Sequence, residues 1–309
     1  MKIFDCFMYF DEELILDIRL NILDKYVDYF VIVESIYTHS GDNRELKFDL
    51  NKFKKFKDKI IYLIHDKMHK SVKRIYSSDT KRVKELKYIY NAVYRENDQR
   101  NFIAKGLENA NNEDIILISD IDEIPKLESI DLKKVKNEIV VFKQDMFHYK
   151  FNLCIPNFKW SGTKAIKKKK LISPQWLRNV KDKKYSIYRI DTLFSKKKYT
   201  NLNIVNDGGW HFSNLKSPDK IIHKYKSYLH HHEFDESNVT LDDVKNLVNN
   251  KQAIYNLNID QRNSKIGNGV ILDKFDINKL PTYISKNLNK YEKWLDQNES
   301  ILDSSLQKN

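Results

Sequence analysis

Three acidic residues stand directly after an apolar run near the middle of the chain. Asp120, Asp122 and Glu123 follow the segment Asp114-Ile-Ile-Leu-Ile-Ser119, and Pro125 comes two residues later. A short β-branched run of this kind predicts a buried strand, which Pro125 prevents from continuing as a central strand. Two aspartates separated by one residue can share one divalent cation once the chain turns, and such a cation neutralises a diphosphate. The alternative is a polar turn that caps a core strand, with an acidic residue opening the next helix.

Strands alternate with helices in the first part of the chain. Apolar runs at residues 2–8, 28–34 and 59–64 predict strands, and the spacing of apolar residues after Asp11 predicts a helix between the first two. This alternation predicts an α/β fold with a doubly wound, mostly parallel sheet. The carboxyl ends of such strands meet at one edge, which is where open α/β sheets bind ligands.

Carboxylates end two of the predicted strands. Glu34 ends the second strand, and Asp120 and Asp122 follow the later apolar run. Between them, residues 81–110 predict two helices that break near Asn97. We therefore expect Glu34 and the two aspartates on the same edge of the sheet.

The pattern is less regular in the second half of the chain. The predicted elements are, in order, a strand at 138–150, an aromatic hairpin or loop at 151–160, a strand at 185–190, helices at 218–232 and 241–248, and an amphipathic segment at 281–296. We expect a catalytic domain over residues 1–233 and a C-terminal helical extension over residues 234–309 that packs on it.

The composition is that of a basic protein with a sizeable core. The 309 residues are 41% hydrophobic, and 55 Lys and Arg stand against 43 Asp and Glu, a formal net charge of +12. This excess favours anionic partners: nucleic acid, an anionic membrane surface or a phosphorylated substrate.

Cys6 and Cys154 show no disulfide framework or zinc spacing, which fits a reducing compartment. The sequence shows neither a signal peptide nor an apolar stretch of the roughly 18 residues that a membrane-spanning helix needs. We therefore expect a soluble, cytoplasmic protein that is at most peripheral at a membrane surface.

Several separated segments of the chain resemble one family. They are residues 4–7, 13–14, 18–20, 27–35, 38–41, 99–101, 119–125 and 208–213, together with Lys224 and His230. The most specific are Ser119-Asp-Ile-Asp-Glu-Ile-Pro125 and Gly208-Gly-Trp-His-Phe-Ser213, and residues 280–284 add a weaker match. In order and spacing the chain resembles glycosyltransferase family 17, the bisecting β-1,4-mannosyl-glycoprotein 4-β-N-acetylglucosaminyltransferase family. The resemblance implies a GT-A-type fold with an irregular acceptor-side half, a nucleotide-sugar donor and inversion at the anomeric carbon.

The resemblance also assigns metal ligands. Asp120 and Asp122 look like the Asp-x-Asp pair that holds Mn²⁺ or Mg²⁺ against the donor diphosphate, since hard cations prefer oxygen ligands. His211 resembles the late histidine that completes the metal shell in many such folds. The alternative for His211 is a hydrogen-bonded core histidine beside Trp210.

The resemblance also suggests residues that bind the nucleotide sugar. Glu34 resembles the carboxylate that meets the nucleotide base or ribose, and its alternative is a loop carboxylate or cap. Arg100 can bind phosphate through a bidentate fork and Lys224 as a point charge. The alternative for both is a surface or helix-stabilising charge.

An inverting transfer needs a base on the acceptor side. The acceptor hydroxyl loses its proton as it attacks the anomeric carbon opposite the nucleotide, and a carboxylate suits that role. Asp207 and Asp145 are the candidate catalytic residues. Asp207 is preferred because it stands beside the glycine turn that precedes His211. For Glu123 the alternative interpretation is a structural role.

The predicted function is metal-dependent, inverting transfer of a sugar onto a glycan hydroxyl, with UDP-N-acetylglucosamine as the donor that the family suggests. Animal members carry an amino-terminal membrane anchor, whereas this chain begins at its first strand, so we expect a different acceptor, such as a microbial or viral surface glycan. No nucleic-acid partner is expected. Two alternatives stay open: a metal-dependent phosphoryl transferase or nuclease, and a non-catalytic glycan-binding protein with a transferase fold.

Overall fold

The described part of the chain forms a mixed α/β structure. The computed structural model describes residues 1–135, 139–183, 185, 195, 197–228, 234, 237–256, 267 and 269–297. Its elements are, in order, β1 (Ile3–Tyr9), α1 (Glu13–Leu23), β2 (Tyr29–Ser35), β3 (Ile60–His65), α2 (Lys81–Phe102), β4 (Ile115–Asp120), β5 (Glu123–Pro125), β6 (Ile139–His148), β7 (Leu153–Lys167), α3 (Pro174–Asn179), β8 (Leu202–Val205), β9 (Gly209–Ser213), α4 (Pro218–Ser227), α5 (Leu241–Asn249), β10 (Asp273–Lys274) and α6 (Thr282–Ser285).

The first half of the sheet is parallel, as the sequence predicts. β1 pairs in parallel with both β2 and β4, and β2 pairs in parallel with β3. Side chains on both faces of β1, β2 and β4 are buried, which explains why their sequences are continuous apolar runs rather than alternating ones. The carboxyl ends of β1, β2 and β4 consequently lie at one edge, and that edge carries Glu34 and Asp120.

The second half of the sheet is mixed: β6 pairs in parallel with β8 and β9 and antiparallel with β7, whereas β3-β2-β1-β4 is parallel throughout, as predicted. The strand order continues β7-β6-β9-β5, and β7 runs antiparallel to both β4 and β6. Only four residues connect β6 to β7, and such a short connection joins antiparallel strands. β9 is parallel to β6 and antiparallel to β5.

One element prediction is wrong, one holds in its hairpin form, and one cannot be compared. Helix α2 continues through Asn97 without a break, and Asp98 accepts a 3.0 Å hydrogen bond from His65 Nε2 on the neighbouring strand. Residues 149–152 connect β6 to the antiparallel strand β7, so the predicted aromatic hairpin is present, although residues 153–160 lie in β7 rather than in a loop. The strand predicted at 185–190 lies outside the described residues except for Tyr185.

Segments after residue 233 contact the sheet and its helices. Val244 and Leu247 of α5 share a buried cluster with Ile221 of α4, and β10 pairs with β7. Leu280 and Tyr291 join the core cluster that contains α1. The division of the chain at residue 233 remains a prediction.

Candidate active site

Three strands bring an aspartate and a distant histidine together. Asp122 lies in the turn between β4 and β5, and Glu123, the next residue, pairs with His211 of β9. His211 in turn lies beside Met146 of β6. As a result, Asp122 Oδ1 and His211 Nε2 are 3.4 Å apart at the carboxyl edge of β4.

A fully buried arginine holds the backbone of this turn. Arg19 forms a 2.6 Å ion pair with Asp5 and donates to the carbonyl oxygens of Asp120, Ile121 and Glu123 at 3.2, 3.1 and 2.7 Å. These bonds offset the cost of burying the guanidinium and satisfy carbonyls that the turn leaves without strand partners. The sequence signal was a charged residue within the apolar face of α1, but no role was predicted for it.

Two arginines share the carboxylate of Asp120. Arg100 of α2 donates to Oδ1 at 3.0 Å, and Arg178 of α3 donates to Oδ2 at 2.8 Å. Burial opposes ionisation of Asp120, but the two guanidinium groups lower its pKa below the ordinary value. Arg100 was predicted at this site, whereas Arg178 was missed.

Glu123 is a structural member of this cluster. Its side chain is fully buried and accepts hydrogen bonds from Trp160 Nε1 at 2.6 Å, from the Asp120 backbone N–H at 3.0 Å and from Arg178 Nη1 at 2.8 Å. A carboxylate with this many donors orients its neighbours, which here are the Arg178 guanidinium and the turn at Asp120. The contacts of Glu123 therefore agree with a structural role for this residue.

The carboxylate of Asp122 faces a histidine ring and a lysine. Besides His211, Lys224 of α4 places Nζ 3.5 Å from Asp122 Oδ2. Burial alone would raise the pKa of Asp122, but His211 and Lys224 lower it well below the ordinary value. Burial would likewise lower the pKa of His211, and the adjacent Asp122 raises it instead.

The Asp122–His211 pair fits two adjacent positions around one divalent cation. Adjacent ligands of an octahedral ion with bonds of about 2.1 Å lie about 3 Å apart, close to the observed 3.4 Å separation. The other ring nitrogen of His211 is buried without a hydrogen-bond partner. Among the described residues, no three His, Cys, Asp or Glu side chains are grouped closely enough to hold a metal by themselves. A cation here would therefore take further ligands from water, from a bound phosphate or from Asp120, whose carboxylate contacts Arg100 and Arg178 in this structure.

Other unsatisfied polar groups lie on the His211 face of the sheet. Gln144 and His148 flank Met146 on β6, so all three side chains leave from the same face as His211. The amide of Gln144 and both ring nitrogens of His148 are buried without partners. Burial, followed by the nearby positive charges, lowers the pKa of His148 to about 3, so its ring is neutral. Buried polar groups of this kind normally contact a ligand or ordered water.

The structure does not bring Asp145 or Asp207 to this cluster. Asp145 is the β6 neighbour of Trp210, one residue from His211, so its side chain leaves from the opposite face, where it pairs with Lys159 at 2.7 Å. The Asp207 side chain is 72% exposed and pairs with Lys126 at 2.7 Å. Asp207 also precedes β9, which begins at Gly209, by two residues.

Glu34 holds a neighbouring loop. Its fully buried carboxylate accepts hydrogen bonds from Arg44 Nη2 and the Lys47 backbone N–H at 2.7 Å each, from the Phe48 backbone N–H at 3.0 Å and from the Tyr62 hydroxyl at 2.8 Å. These bonds fix residues 44–48 against the end of β2. The contact of Glu34 with a nucleotide remains a prediction.

Lys164 supports the helix that carries Arg178. Its Nζ donates to the carbonyl oxygens of Arg178 and Val180 at 2.6 Å each, and burial lowers its pKa to about 7. A neutral amine still has two hydrogens, one for each carbonyl. Lys164 therefore anchors the end of α3 without placing a full charge in the core at pH 8.

This lowered pKa predicts a pH-dependent stability. An unfolded lysine titrates near 10.4, so between pH 7 and 9 the unfolded state binds more protons and the free energy of unfolding rises with pH. Over this interval we expect the wild type to gain about 2 kcal/mol relative to Lys164→Met. Urea unfolding at several pH values measures the difference, with Lys169→Met as the control lysine on the surface. Parallel curves for the wild type and Lys164→Met would contradict the assignment.

A comparison with known protein families identifies the chain. The sequence model of glycosyltransferase family 17 matches residues 1–298, a range that contains every residue of the cluster. No curated protein matches the chain closely enough to be compared with it. The match confirms the resemblance found in the separated segments of the sequence. The chain belongs to glycosyltransferase family 17.

Proposed function

We propose that this glycosyltransferase is a metal-dependent, inverting enzyme of the GT-A type that transfers N-acetylglucosamine from UDP-N-acetylglucosamine to a glycan hydroxyl. The family match supports glycosyl transfer from a nucleotide sugar to a glycan acceptor. The observation that carries the metal-dependent mechanism is the 3.4 Å approach of Asp122 and His211. The alternatives of a phosphoryl transferase and of a glycan-binding protein have no comparable support.

The charges of the cluster favour a metal–diphosphate complex over either component alone. The carboxylates of Glu96, Asp120, Asp122 and Glu123 are paired with Arg100, Arg178 and Lys224, and His211 adjoins Asp122, so the fixed charges nearly balance. The diphosphate of a nucleotide sugar carries about two negative charges, which a divalent cation offsets. Binding both together preserves the balance, whereas binding either one leaves uncompensated charge in a buried site. We therefore expect donor and cation to bind cooperatively.

Each side chain has a defined part in this proposal. Asp122 and His211, with Asp120, would hold the cation, which supplies charge neutralisation to the departing diphosphate. Arg100 and Arg178 now bind Asp120, and the same guanidinium groups can bind phosphate oxygens once that carboxylate turns to a cation. Both arginines are almost fully buried, so they present fixed rather than mobile charge.

The base that accepts the proton of the acceptor hydroxyl is a separate assignment. Asp207 and Asp145 remain the predicted residues, and both are engaged in ion pairs away from Asp122. Turnover by Asp207→Asn and Asp145→Asn, measured beside donor binding, tests each of them. Full turnover with donor still bound rules out the residue concerned.

Thermal unfolding in the presence of nucleotide tests the cooperative binding. UDP with Mn²⁺ at about 100 times its dissociation constant should stabilise the protein by about 2.7 kcal/mol, while UDP with a chelator should stabilise it much less. Uridine with Mn²⁺ is the control that lacks the diphosphate. Equal stabilisation by UDP with and without the cation would contradict metal dependence.

A panel of nucleotide sugars tests the reaction and the donor. We expect metal-dependent hydrolysis of UDP-N-acetylglucosamine to exceed that of UDP-glucose and GDP-mannose, with a nucleoside diphosphate as the product. Release of a nucleoside monophosphate would indicate phosphoryl chemistry instead. The anomeric configuration of a transferred sugar, read by NMR, decides between inversion and retention.

A further inference from the structure

The first three turns of α2 carry an exposed apolar stripe. Val83, Leu86, Ile89 and Tyr90 are 39, 43, 48 and 55% exposed. At about 100° per residue they cover an arc of about 120°, the width that a helix of a globular protein normally buries. Tyr88, on the opposite side, is 42% exposed, whereas Asn91 and Ala92 in the next turn are buried. This stripe is therefore an apolar helix face that the described part of the chain leaves in contact with solvent.

Basic residues accompany this stripe: at about 100° per residue, Arg82 falls within its arc, Lys87 lies beside it, and Lys81 and Lys84 lie on the opposite side of the helix. Residues 67–90 contain eight Lys and Arg and two acidic residues, a net charge of +6, which is half of the +12 of the whole chain. Within α2 the basic residues are Lys81, Arg82, Lys84 and Lys87. Lys81 has a 91% exposed side chain, and Lys87 pairs with Asp79. We call the four apolar and four basic residues of α2 together the α2 surface.

Exposed apolar side chains also concentrate around this surface. Eight of the thirteen large hydrophobic residues that are exposed in the described ranges lie between residues 64 and 90. Met68 and Tyr76, in the connection that precedes α2, are 37 and 53% exposed. An apolar patch flanked by positive charge is unusual for a surface that contacts only water.

We propose that the α2 surface docks on an anionic lipid bilayer. A helix with an apolar face and flanking lysines inserts that face at the boundary between headgroups and acyl chains, while its basic residues bind anionic headgroups. A nucleic acid would use the positive charge but would leave the aliphatic side chains without partners. In the described ranges, no helix combines the length and apolar composition needed to cross a bilayer, so this contact is peripheral.

The α2 surface is separate from the candidate active site. Arg100, which contacts Asp120, lies 14 residues after Leu86 on the same helix, about 21 Å along its axis. The α2 surface contributes no contact to the Asp122–His211 pair. Changes to it are therefore expected to leave donor hydrolysis in solution unaltered.

Vesicle co-sedimentation of the full chain tests the proposal. We expect binding to vesicles that contain about one third phosphatidylglycerol, weakened by salt, and little binding to phosphatidylcholine alone. Lys81→Gln/Arg82→Gln/Lys84→Gln should lower the partition coefficient about 100-fold, at about fivefold for each basic residue. Leu86→Ser/Ile89→Ser should lower it at least about tenfold through the loss of apolar contact.

A matched variant controls for the loss of exposed apolar residues in general. Ile172 and Ile271 are 67 and 60% exposed and lie outside the α2 surface, so Ile172→Ser/Ile271→Ser should retain vesicle binding. All variants should keep the melting temperature and the donor hydrolysis of the wild type. Equal binding by the Leu86→Ser/Ile89→Ser variant and the wild type would overturn the proposal. Two other results would also overturn it, each in the absence of vesicle binding. One is RNA binding that the triple variant abolishes, and the other is self-association that the Leu86→Ser/Ile89→Ser variant abolishes.

Discussion

Asp122→Ala is expected to reduce metal-dependent donor hydrolysis about a thousandfold. The carboxylate of Asp122 stands between His211 and Lys224, and its removal deletes one proposed ligand of the cation and leaves Lys224 without this counter-charge. A bound cation contributes several kcal/mol of charge stabilisation, and about 4 kcal/mol corresponds to a factor of a thousand in rate. Release of nucleoside diphosphate in the presence of Mn²⁺ measures the effect.

Controls separate the loss of the cation from a loss of folding. Asp242 of α5 has an 83% exposed side chain and pairs with Lys245, so Asp242→Ala makes the same chemical change away from the cluster and should retain activity. Asp122→Ala should keep a cooperative unfolding transition but lose the additional stabilisation by UDP with Mn²⁺. Activity above about one tenth of the wild type would show that the cation does not depend on this carboxylate.

The parallel half of the fold could be predicted because its signals are local. Residues 30–33 of β2 and 115–118 of β4 form continuous apolar runs, and such runs belong to strands buried on both faces. Helix α1 between the first two strands fixes their parallel direction through the preferred crossover. The prediction that Glu34 and Asp120 share an edge follows from these two facts.

The partners of each carboxylate could not be predicted, because they depend on contacts between distant segments. Glu34 reaches that edge but binds the loop at residues 44–48. Arg178 reaches Asp120 from the six-residue helix α3, which follows the antiparallel return of β7. The sequence suggests the return as a hairpin, but the position of α3 has no signature in the apolar pattern, so the sequence does not predict the second arginine of the site.

Strand register explains the placement of Asp145. A shift of one residue moves a side chain to the other face of a sheet. The sequence shows that Asp145 belongs to a strand, but only the pairing of Met146 with His211 shows which face the aspartate occupies. The same pairing brings His148 and Gln144, which the sequence did not single out, to the face of His211.

Arg178→Lys is expected to lower kcat/KM for donor hydrolysis about 100-fold. The Arg178 guanidinium donates to Asp120 Oδ2 at 2.8 Å, to both oxygens of Glu123 and to the Gly162 carbonyl oxygen at 3.0 Å. Lysine keeps the positive charge but has a single nitrogen, which cannot span these acceptors or form a bidentate bond to a phosphate. Charge-assisted hydrogen bonds contribute about 1.5–3 kcal/mol each, so losing one or two of them accounts for a factor of this size.

The ligand dependence of the defect distinguishes phosphate binding from structural support. If Arg178 binds the diphosphate, Arg178→Lys weakens the binding of UDP with Mn²⁺ and leaves the binding of uridine unchanged. Arg95→Lys is the matched control, because Arg95 lies on α2 near Arg100 but donates to the carbonyl oxygens of His39 and Ser40 instead of the acidic cluster. If Arg178→Lys loses stability but keeps the wild-type affinity for UDP, Arg178 only holds Glu123 and the turn at Asp120. Arg100 and Lys224 would then be the cations available to the diphosphate.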